Sequence, residues 1–334
     1  MTGMDLSWLD PNALDERDLN GAAAVWEAAR AVDTPQFNEE TVTYHRTRLR
    51  HGWDGEPPLV AVTKDGSGRV IGVLSINLPR RDNTHLATLQ VVVDPVLRGR
   101  GIGKALFEAG LARIREEGRR VATSTAFDPS PGMAFLKAQG FDPVLELAYR
   151  RQDLTKLDWD RLDQLFAEAQ AKAANYELVR MPWPVPEELL PAVAELTAAI
   201  NDAPTDDLEF EDEVFDAERI RAYEAAQDAH GRRVYRLVAR ERSTGELAGH
   251  TIVGVSSEKP WYGGQHDTSV AAAHRGHRLG LLLKIGMLRW LREVEPQLRS
   301  IETDNAASNT HMIRVNELIG YELIAKSVEF QRRL

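Results

Sequence analysis

The stretch Arg98-Gly99-Arg100-Gly101-Ile102-Gly103 decides the fold of this chain, because it joins a strand to a helix through glycines. A β-branched run ends at Val93 before it, and apolar residues at helical spacing follow it from Phe107 to Ile114. The first amides of a helix have no intrahelical partner and point outward at the positive end of the helix dipole. Glycines let the backbone approach a ligand closely. The stretch therefore predicts a pocket for an anion such as a pyrophosphate, and an ordinary strand-to-helix turn is the other interpretation.

The same arrangement occurs again about half the chain later. Arg275-Gly276-His277-Arg278-Leu279-Gly280 follows Val270 at the spacing that separates Arg98 from Val93, and a second amphipathic helix follows. Repetition of a turn with the same flanking structure is hard to obtain by accident. Both stretches are therefore predicted to be phosphate-binding turns.

The bulk properties restrict the class of protein. The 334 residues suffice for two ordinary domains, and 43% hydrophobic with 28% charged residues is a globular composition. The absence of cysteine excludes disulfides, thiolate metal sites and a cysteine nucleophile, and no metal site is expected. The formal charge of −10 argues against nonspecific nucleic-acid binding and mildly favours a cationic partner.

The N-terminal stretch and the hydropathy pattern predict the compartment. Residues 1–20 are acidic and lack a basic region followed by an apolar core, so no signal peptide is expected. No apolar run approaches the ~18 residues that a membrane span requires. We expect a soluble cytoplasmic protein, a monomer or homodimer, without nucleic-acid or membrane partners.

The order of predicted elements is the same in both halves. Each half reads β-α-α-β-β-β-α-β-α-β, which predicts an α/β (α+β) fold with two domains, each a mixed, mainly antiparallel sheet flanked by helices. The predicted division is an N-terminal domain over 1–152, a linker helix over 153–175 and a C-terminal domain over 176–334.

This order, with Arg-x-x-Gly-x-Gly after the fourth strand, resembles the GNAT superfamily of N-acetyltransferases over both halves of the chain. The resemblance implies that each turn holds the pyrophosphate of acetyl-CoA through backbone amides. It also implies that the fourth and fifth strands of each half splay apart, so that the pantetheine arm lies between them like an extra strand.

The resemblance assigns cofactor-binding residues to the two turns and to the strands beside them. Arg98, Gly101 and Gly103 match the family pattern fully, whereas Arg278 stands where the second half should carry the middle glycine. The Arg278 side chain either narrows the approach to the pyrophosphate or adds its own charge to it. The assigned residues are Val91, Val93, Arg98, Gly99, Arg100, Gly101, Gly103, Lys104, Ser269, Val270, Arg275, Gly276, His277, Arg278, Gly280, Asn305 and Asn309.

A tyrosine that often protonates the leaving CoA thiolate in the family is missing. The second half has the preceding asparagine, Asn309, but Asn316 stands at the tyrosine position. The first half has Leu136 there. The thiolate therefore leaves through water or another donor, or one half is not catalytic.

Acetyl transfer needs a neutral amine, so a base must remove a proton before or during attack. Family members often carry that base shortly before the end of the fourth strand. The first half has Leu89 and Gln90 there, whereas the second half has His266 and Asp267. With Glu302 on the neighbouring strand, these residues predict catalysis in the C-terminal half. The other interpretation of His266 and Asp267 is that they satisfy buried backbone groups at the strand edge.

The acceptor is predicted only as a primary amine of a small molecule or peptide. Eight carboxylates between Asp202 and Asp216 favour a cationic amine, and a solvated acidic loop is the other interpretation. A CoA-binding regulator or scaffold without turnover is the alternative function. A nucleotide-binding α/β protein is disfavoured, because neither turn matches the P-loop or dinucleotide fingerprint.

Overall fold

The fold is described from a computed structural model, which covers residues 6–334 in describable detail. The chain divides into two compact units. Unit 1 comprises residues 6–147, 205–211 and 325–334, and unit 2 comprises residues 148–204 and 212–324. The predicted boundaries at 152 and 176 stay predictions, and they differ from this division in that the C-terminal segment of the chain belongs to unit 1.

Twelve strands are found in the described part of the chain. They are β1 (Leu6–Trp8), β2 (Leu59–Lys64), β3 (Val70–Asn77), β4 (Leu86–Val93), β5 (Val121–Asp128), β6 (Asp142–Asp153), β7 (Tyr176–Met181), β8 (Arg232–Glu241), β9 (Leu247–Ser256), β10 (Tyr262–Val270), β11 (Ser300–Ala306) and β12 (Tyr321–Arg333).

Nine α-helices connect these strands within residues 6–334. They are α1 (Glu16–Asp33), α2 (Val42–His51), α3 (Ile102–Glu116), α4 (Pro131–Ala138), α5 (Trp159–Lys172), α6 (Leu190–Thr197), α7 (Ala217–Ala229), α8 (Leu279–Val294) and α9 (Thr310–Leu318). None of the helices in this part of the chain is long and apolar enough to cross a bilayer.

The sheets have the predicted mixed, mainly antiparallel character, so the α/β class is confirmed. In unit 1 the strand order is β1-β2-β3-β4-β5-β12, and only the β4–β5 neighbours among the registered pairs are parallel. In unit 2 the order is β6-β11-β10-β9-β8-β7, with β10 and β11 as the parallel pair. A parallel pair needs a crossover, which α3 supplies in unit 1 and α8 supplies in unit 2.

Each sheet buries both faces, and this explains the continuous apolar runs of the central strands. In unit 1, α1 and α2 cover one face with a cluster that includes Leu19 and Leu49, whereas α3 covers the other with Leu106 and Phe107. In unit 2, α6 and α7 cover one face, and α5 and α8 cover the other.

The helix predicted as a linker, α5, packs within unit 2. Its carboxylate cap Asp158 accepts from the Arg161 amide, which starts the helix at Trp159. Leu162 and Leu165 then place its apolar face in the same core as α8. The helix is therefore a layer of the second unit.

The C-terminal strand is expected to stabilise unit 1. β12 pairs with β5 from Lys326 to Arg333, and Phe330 is fully buried in the unit 1 core. We expect Phe330→Ala to lower the free energy of unfolding by about 3–5 kcal/mol, because it leaves a cavity in a packed core. Urea denaturation with hydrogen exchange at β5 amides measures this loss. Leu323→Ala is the control, because Leu323 lies in the same strand but is 51% exposed; equal losses would contradict the prediction.

Candidate active site

The first glycine turn presents uncovered helix amides. The chain leaves β4 through a 3₁₀ turn over Pro95–Leu97, and α3 begins at Ile102 with no side chain capping it. Gly99 and Gly101 take φ of +76° and +85°, a backbone region that disfavours other residues. A Cβ atom at either glycine would meet nothing within 4 Å. The space before the α3 N-terminus is therefore open, as an anion cradle requires.

The signature arginine of each turn holds the turn in place. Arg98 donates to both oxygens of Asp33, at 2.7 and 2.6 Å, and to the Val93 carbonyl at 3.3 Å. In unit 2, Arg275 donates through one nitrogen to one oxygen of Asp202 and, at 3.1 Å, to the Val270 carbonyl. That the two arginines contact the cofactor stays a prediction, and the contacts that they make within the fold shape the turns.

The two aspartates were missed from the sequence. Asp33 ends α1 and Asp202 ends the 3₁₀ turn over Ala198–Asp202. Each lies more than sixty positions before its arginine, so no local spacing connects them. The only available signal was that an acidic residue closes the first helical segment of each half.

The second turn keeps the same backbone shape with a non-glycine residue. Arg278 takes φ of +57° directly before α8, which again begins without a side-chain cap. A left-handed conformation costs a residue with a side chain roughly 1–2 kcal/mol. The Arg278 guanidinium donates to Glu168 at 3.3 Å, and both side chains are about half exposed. The amides at the start of α8 are therefore not covered by this side chain.

The remaining predicted cofactor residues fall into two groups. Arg100, Lys104 and His277 are exposed near the turns, and Gly103 and Gly280 lie in the first turn of each helix. Asn309 and Asn305 have other partners, because Asn309 caps α9 through the Met312 amide and Asn305 accepts from Asn316 at 2.8 Å. The structure therefore brings the turn residues together and places the two asparagines in hydrogen bonds of their own.

In each unit the parallel strands part after a short pairing. β4 and β5 pair only from Leu86 to Thr88, and β10 and β11 pair only from Tyr262 to Gly264. Val91 and Val93 of β4, and Ser269 and Val270 of β10, lie beyond these points, on the way to the turns. The resulting opening leaves backbone groups of one strand edge without a strand partner, which suits an extended ligand arm.

His266 forms a β-bulge in β10 beside this opening. The register to β9 shifts between Gln265 and Asp267, and the imidazole lies against Gly254, where a Cβ would meet it at 2.6 Å. Its Nδ1 lies 2.5 Å from the Tyr223 hydroxyl. Burial lowers the pKa of His266 well below its usual value, and the charges of Arg232 and Arg236 lower it further. The imidazole is therefore neutral at pH 7 and is engaged with Tyr223.

One carboxylate oxygen of Asp267 is hydrogen-bonded, and the other has no hydrogen-bond partner among the described residues. Oδ2 lies 2.5 Å from Nε2 of the fully buried His250, and the Ser269 hydroxyl donates to it at 3.4 Å. Oδ1 is buried and has no hydrogen-bond partner within residues 6–334. A buried acceptor without a partner requires an explanation, and a substrate proton is one. Asp267 thus has the geometry of a base oriented by a histidine.

Glu302 is held by neighbours of its own. Both guanidinium donors of Arg151 reach it, one at 2.8 Å, and the Tyr262 hydroxyl donates to it at 3.1 Å. Both carboxylate oxygens of Glu302 therefore already accept hydrogen bonds within the fold. Of the three residues predicted as catalytic, Asp267 is therefore the one with free acceptor capacity.

A buried lysine on the other side of β10 was missed. Lys284 of α8 is 3% exposed and donates to Gln265 Oε1 at 3.0 Å, and its ammonium lies 5.1 Å from the Tyr321 ring centroid. Burial lowers the pKa of Lys284 to about 7, while the charge of Asp267 acts in the opposite direction. The signal was present in the sequence, because Lys284 interrupts the apolar face of α8.

Arg236 is a second buried cation that sequence reasoning missed. It is 2% exposed in the middle of β8, and its Nε and Nη1 have no hydrogen-bond partner among the described residues. Arg236 and Asp267 both lie opposite Ile252 of β9, so their side chains share one face of the sheet. This face of the sheet therefore holds a buried cation and a buried carboxylate that each have atoms without a hydrogen-bond partner among the described residues.

Unit 1 has a simpler opening. Its β4 carries no base, as the sequence indicated, but β12 supplies Glu329, which accepts from Thr125 at 2.6 Å. Thr88 and Thr123 bond to each other at 2.9 Å on the neighbouring strands. Glu329 comes from the opposite end of the chain, so no motif near the first turn pointed to it.

At least four of the eight carboxylates in the acidic stretch between α6 and α7 make contacts within the fold. Asp202 binds Arg275, Glu213 binds Arg219, and Asp216 caps α7. Glu209 accepts from Arg333 at 2.7 Å. These contacts reduce the charge available to attract a cationic acceptor. No cluster of three or more His, Asp or Glu side chains within residues 6–334 is placed to hold a metal ion.

Comparison with known proteins gives a consistent family. Residues 23–141 match the acetyltransferase (GNAT) family. Mycothiol acetyltransferases of Mycobacterium avium (strain 104) and Stackebrandtia nassauensis (strain DSM 44728) are 33% identical over 143 residues and 31% identical over 135 residues. These alignments cover 42% and 40% of this chain and 40% and 42% of the relatives, so the match spans about two fifths of their length.

Solved structures extend the similarity to the whole chain. A tandem GNAT protein from the clavulanic acid biosynthesis pathway is 28% identical with a TM-score of 0.80, over 99% of this chain and 98% of that one. A GCN5-related N-acetyltransferase from Sphaerobacter thermophilus shares the fold at 15% identity with a TM-score of 0.70, over 100% and 96% of the two chains. Residues 23–141 therefore match the GNAT acetyltransferase family, and the whole chain is similar to a tandem GNAT protein.

The buried ammonium of Lys284 predicts a pH-dependent stability. Its pKa falls from 10.5 to about 7 on folding, so the unfolded chain binds more protons between these values and the free energy of unfolding should rise with pH in that window. Lys284→Met should flatten this rise, as urea denaturation at a series of pH values will measure. Lys172→Met, at an exposed lysine of the same unit, should leave the rise intact. An unchanged slope in Lys284→Met would refute the prediction.

Proposed function

We propose that this protein is an acetyl-CoA-dependent N-acetyltransferase that acts on a primary amine of a small molecule or peptide, with catalysis in unit 2. The observation that carries the proposal is the parting of β10 and β11 toward the uncapped α8 N-terminus, with Asp267, whose buried Oδ1 has no hydrogen-bond partner among the described residues, on the strand that borders the opening. This combination joins an anion cradle, a channel for an extended arm and a proton acceptor.

The residues of each turn fit acetyl-CoA. Uncapped amides at the start of α3 and α8 would hold its pyrophosphate, and the strand edges beyond Thr88 and Gly264 would bind its extended arm. When bound, acetyl-CoA supplies an acetyl group activated as a thioester. Arg98 and Arg275 act indirectly, because they hold the turns in shape through Asp33 and Asp202.

Asp267 is the proposed base. Its Oδ1 would accept the proton of the attacking amine, while His250 fixes the carboxylate through Oδ2. The bulge at His266 redirects the backbone at this point, and the neutral imidazole bound to Tyr223 supports the bulge. His266 is therefore proposed as a positioning residue, and Glu302 as a structural partner of Arg151.

The acceptor is proposed to be a small molecule. The name of the mycothiol acetyltransferase relatives supports this size class. The Asp267 oxygen without a hydrogen-bond partner favours an amine at the reaction centre. Arg236 on the same face of the sheet favours an anionic substituent elsewhere on the acceptor. The acidic stretch contributes less to this choice than its sequence suggests, because Asp202, Glu209, Glu213 and Asp216 are engaged within the fold.

Cofactor binding at unit 1 is expected to depend on the backbone conformation of Gly101. Gly101→Val should weaken CoA binding at the first turn by at least about tenfold, since a β-branched residue disfavours φ of +85°. Calorimetry with CoA measures the affinity and the stoichiometry. Gly118→Val is the matched control, because Gly118 also has positive φ and open space around it but lies beyond the far end of α3. Unchanged binding in Gly101→Val would remove the first turn as a CoA site.

Amine acetylation is expected to depend on the carboxylate of Asp267. Asp267→Asn should reduce kcat/KM by about 100-fold or more, and the loss should be greatest at low pH, where solvent cannot replace the base. Release of free thiol from acetyl-CoA with a panel of primary amines measures the rate. Glu322→Gln, at an exposed carboxylate of unit 2, should behave like the parent protein.

The outcome of this assay also decides between the two functional classes. Full activity of Asp267→Asn would move catalysis to unit 1, where Glu329 is the candidate carboxylate. Tight CoA binding by the parent protein without thiol release from any amine would favour a CoA-binding regulator. The tyrosine positions motivate that alternative, because Leu136 and Asn316 are both buried and neither can act as a phenolic acid.

A further inference from the structure

Unit 2 carries a charged residue at a position that unit 1 fills with an aromatic ring. Phe107 and Lys284 stand at the same distance along the chain from Arg98 and Arg275. Phe107 packs against Phe141 with ring centroids 5.3 Å apart. Because an apolar residue satisfies this position in the same fold, packing alone does not require a lysine there. Burying an ammonium is costly, so its presence calls for a function.

The Lys284 ammonium has few partners in the described structure. Its Nζ donates to the neutral amide of Gln265 and lies over the Tyr321 ring, and no ion pair to it is found within residues 6–334. An ammonium has three donors, and only one of them is used in a hydrogen bond. Lys284 is therefore a buried cation with donor capacity for an anion.

Gln265 fixes the ammonium at the opening between the parallel strands. The last β10–β11 pair joins Gly264 to Glu302, so Gln265 is the first residue of β10 beyond the pairing. Its Nε2 donates to the Ile252 carbonyl at 2.6 Å and to the Asp267 carbonyl at 2.8 Å. These two acceptors orient the side-chain amide so that Oε1 faces Lys284. The ammonium is thus held beside Gln265, the first residue of β10 beyond the parallel pairing.

We propose that Lys284 is a catalytic residue of unit 2, which stabilises and then protonates the CoA thiolate that leaves during acetyl transfer. This inference rests on the proposed function. As the amine nitrogen bonds to the carbonyl carbon, the C–S bond breaks and its electron pair stays on sulfur. The Nζ–H of Lys284 gives its proton to that sulfur, and the attacking nitrogen gives its own to Asp267. Solvent then reprotonates the lysine and takes the proton from the carboxylate.

The charges around Lys284 suit this step. Asp267 of β10 is the charged group that acts on it, while Tyr321 of β12 is neutral because burial raises its pKa. With a pKa of about 7, Lys284 is partly protonated at neutral pH and is a stronger acid than a thiol of ordinary pKa near 8.5. A protonated Lys284 can therefore stabilise the charge of the thiolate and also give it a proton. Phe107, at the equivalent position of unit 1, cannot donate a proton.

The test measures ionisation of the bound thiol rather than turnover. CoA is bound to excess protein, and the thiolate absorbance is followed as a function of pH for the parent protein, Lys284→Met, Lys284→Arg and the exposed control Lys172→Met. Calorimetry gives the CoA stoichiometry of each. We expect one class of bound CoA to form thiolate about one pH unit or more below free CoA, because a buried cation favours the anion.

The variants separate the possible outcomes. Lys284→Met should raise the midpoint of that class to the value of free CoA or above, Lys284→Arg should keep it low because the charge remains, and Lys172→Met should match the parent. Equal midpoints in the parent protein and Lys284→Met, at the same stoichiometry, would overturn the inference and leave CoA binding intact. A stoichiometry that shows no CoA in unit 2 would overturn it together with the proposed function of that unit.

Discussion

The early end of the parallel pairing is the constraint on which the rest of the structure depends. Gly264 and Thr88 are the last β10 and β4 residues that pair with their parallel neighbours, although both strands continue toward the turns. A sheet normally completes its hydrogen-bond ladder, so an edge left open inside a sheet is maintained only if the flanking elements hold the strands apart. The covering helices on both faces and the braced turns at the strand ends do this in each unit.

The braced turn shows why part of the site was predictable from the sequence. Gly99 and Gly101 could be recognised from the sequence, because only glycine adopts their backbone conformation readily. The repeat at Arg275 made the pattern clearer. The family resemblance then supplied the splayed strands, which the register confirms. The role of the arginine was not predictable in the same way. Its partners Asp33 and Asp202 come from another element, and nothing in local spacing encodes a contact made only by tertiary packing.

The same limit explains what was missed on the sheet faces. The sequence predicted His266 and Asp267 as candidate bases near the end of the fourth strand, but it did not reveal that Tyr223 and His250 are their respective partners. Glu329 reaches unit 1 because the C-terminal strand pairs with β5, a pairing of distant segments that no periodicity reveals. Lys284 is the exception. A lysine within an apolar helix face was visible in the sequence. Comparison with Phe107 shows that packing does not require a lysine at this position.

That comparison suggests how two copies of one fold come to differ. The backbone of both turns is alike, down to the left-handed residue before the helix and the arginine that donates to the preceding strand, so both units share the same turn geometry. The positions beside the open strands diverged: unit 1 has Phe107 and Gln90 where unit 2 has Lys284 and Asp267. Buried ionisable groups destabilise a fold unless a ligand or reaction gives them a use. Their concentration in one unit, around an opening that both units share, is the physical reason to place chemistry there and to regard cofactor binding as the more widely retained property.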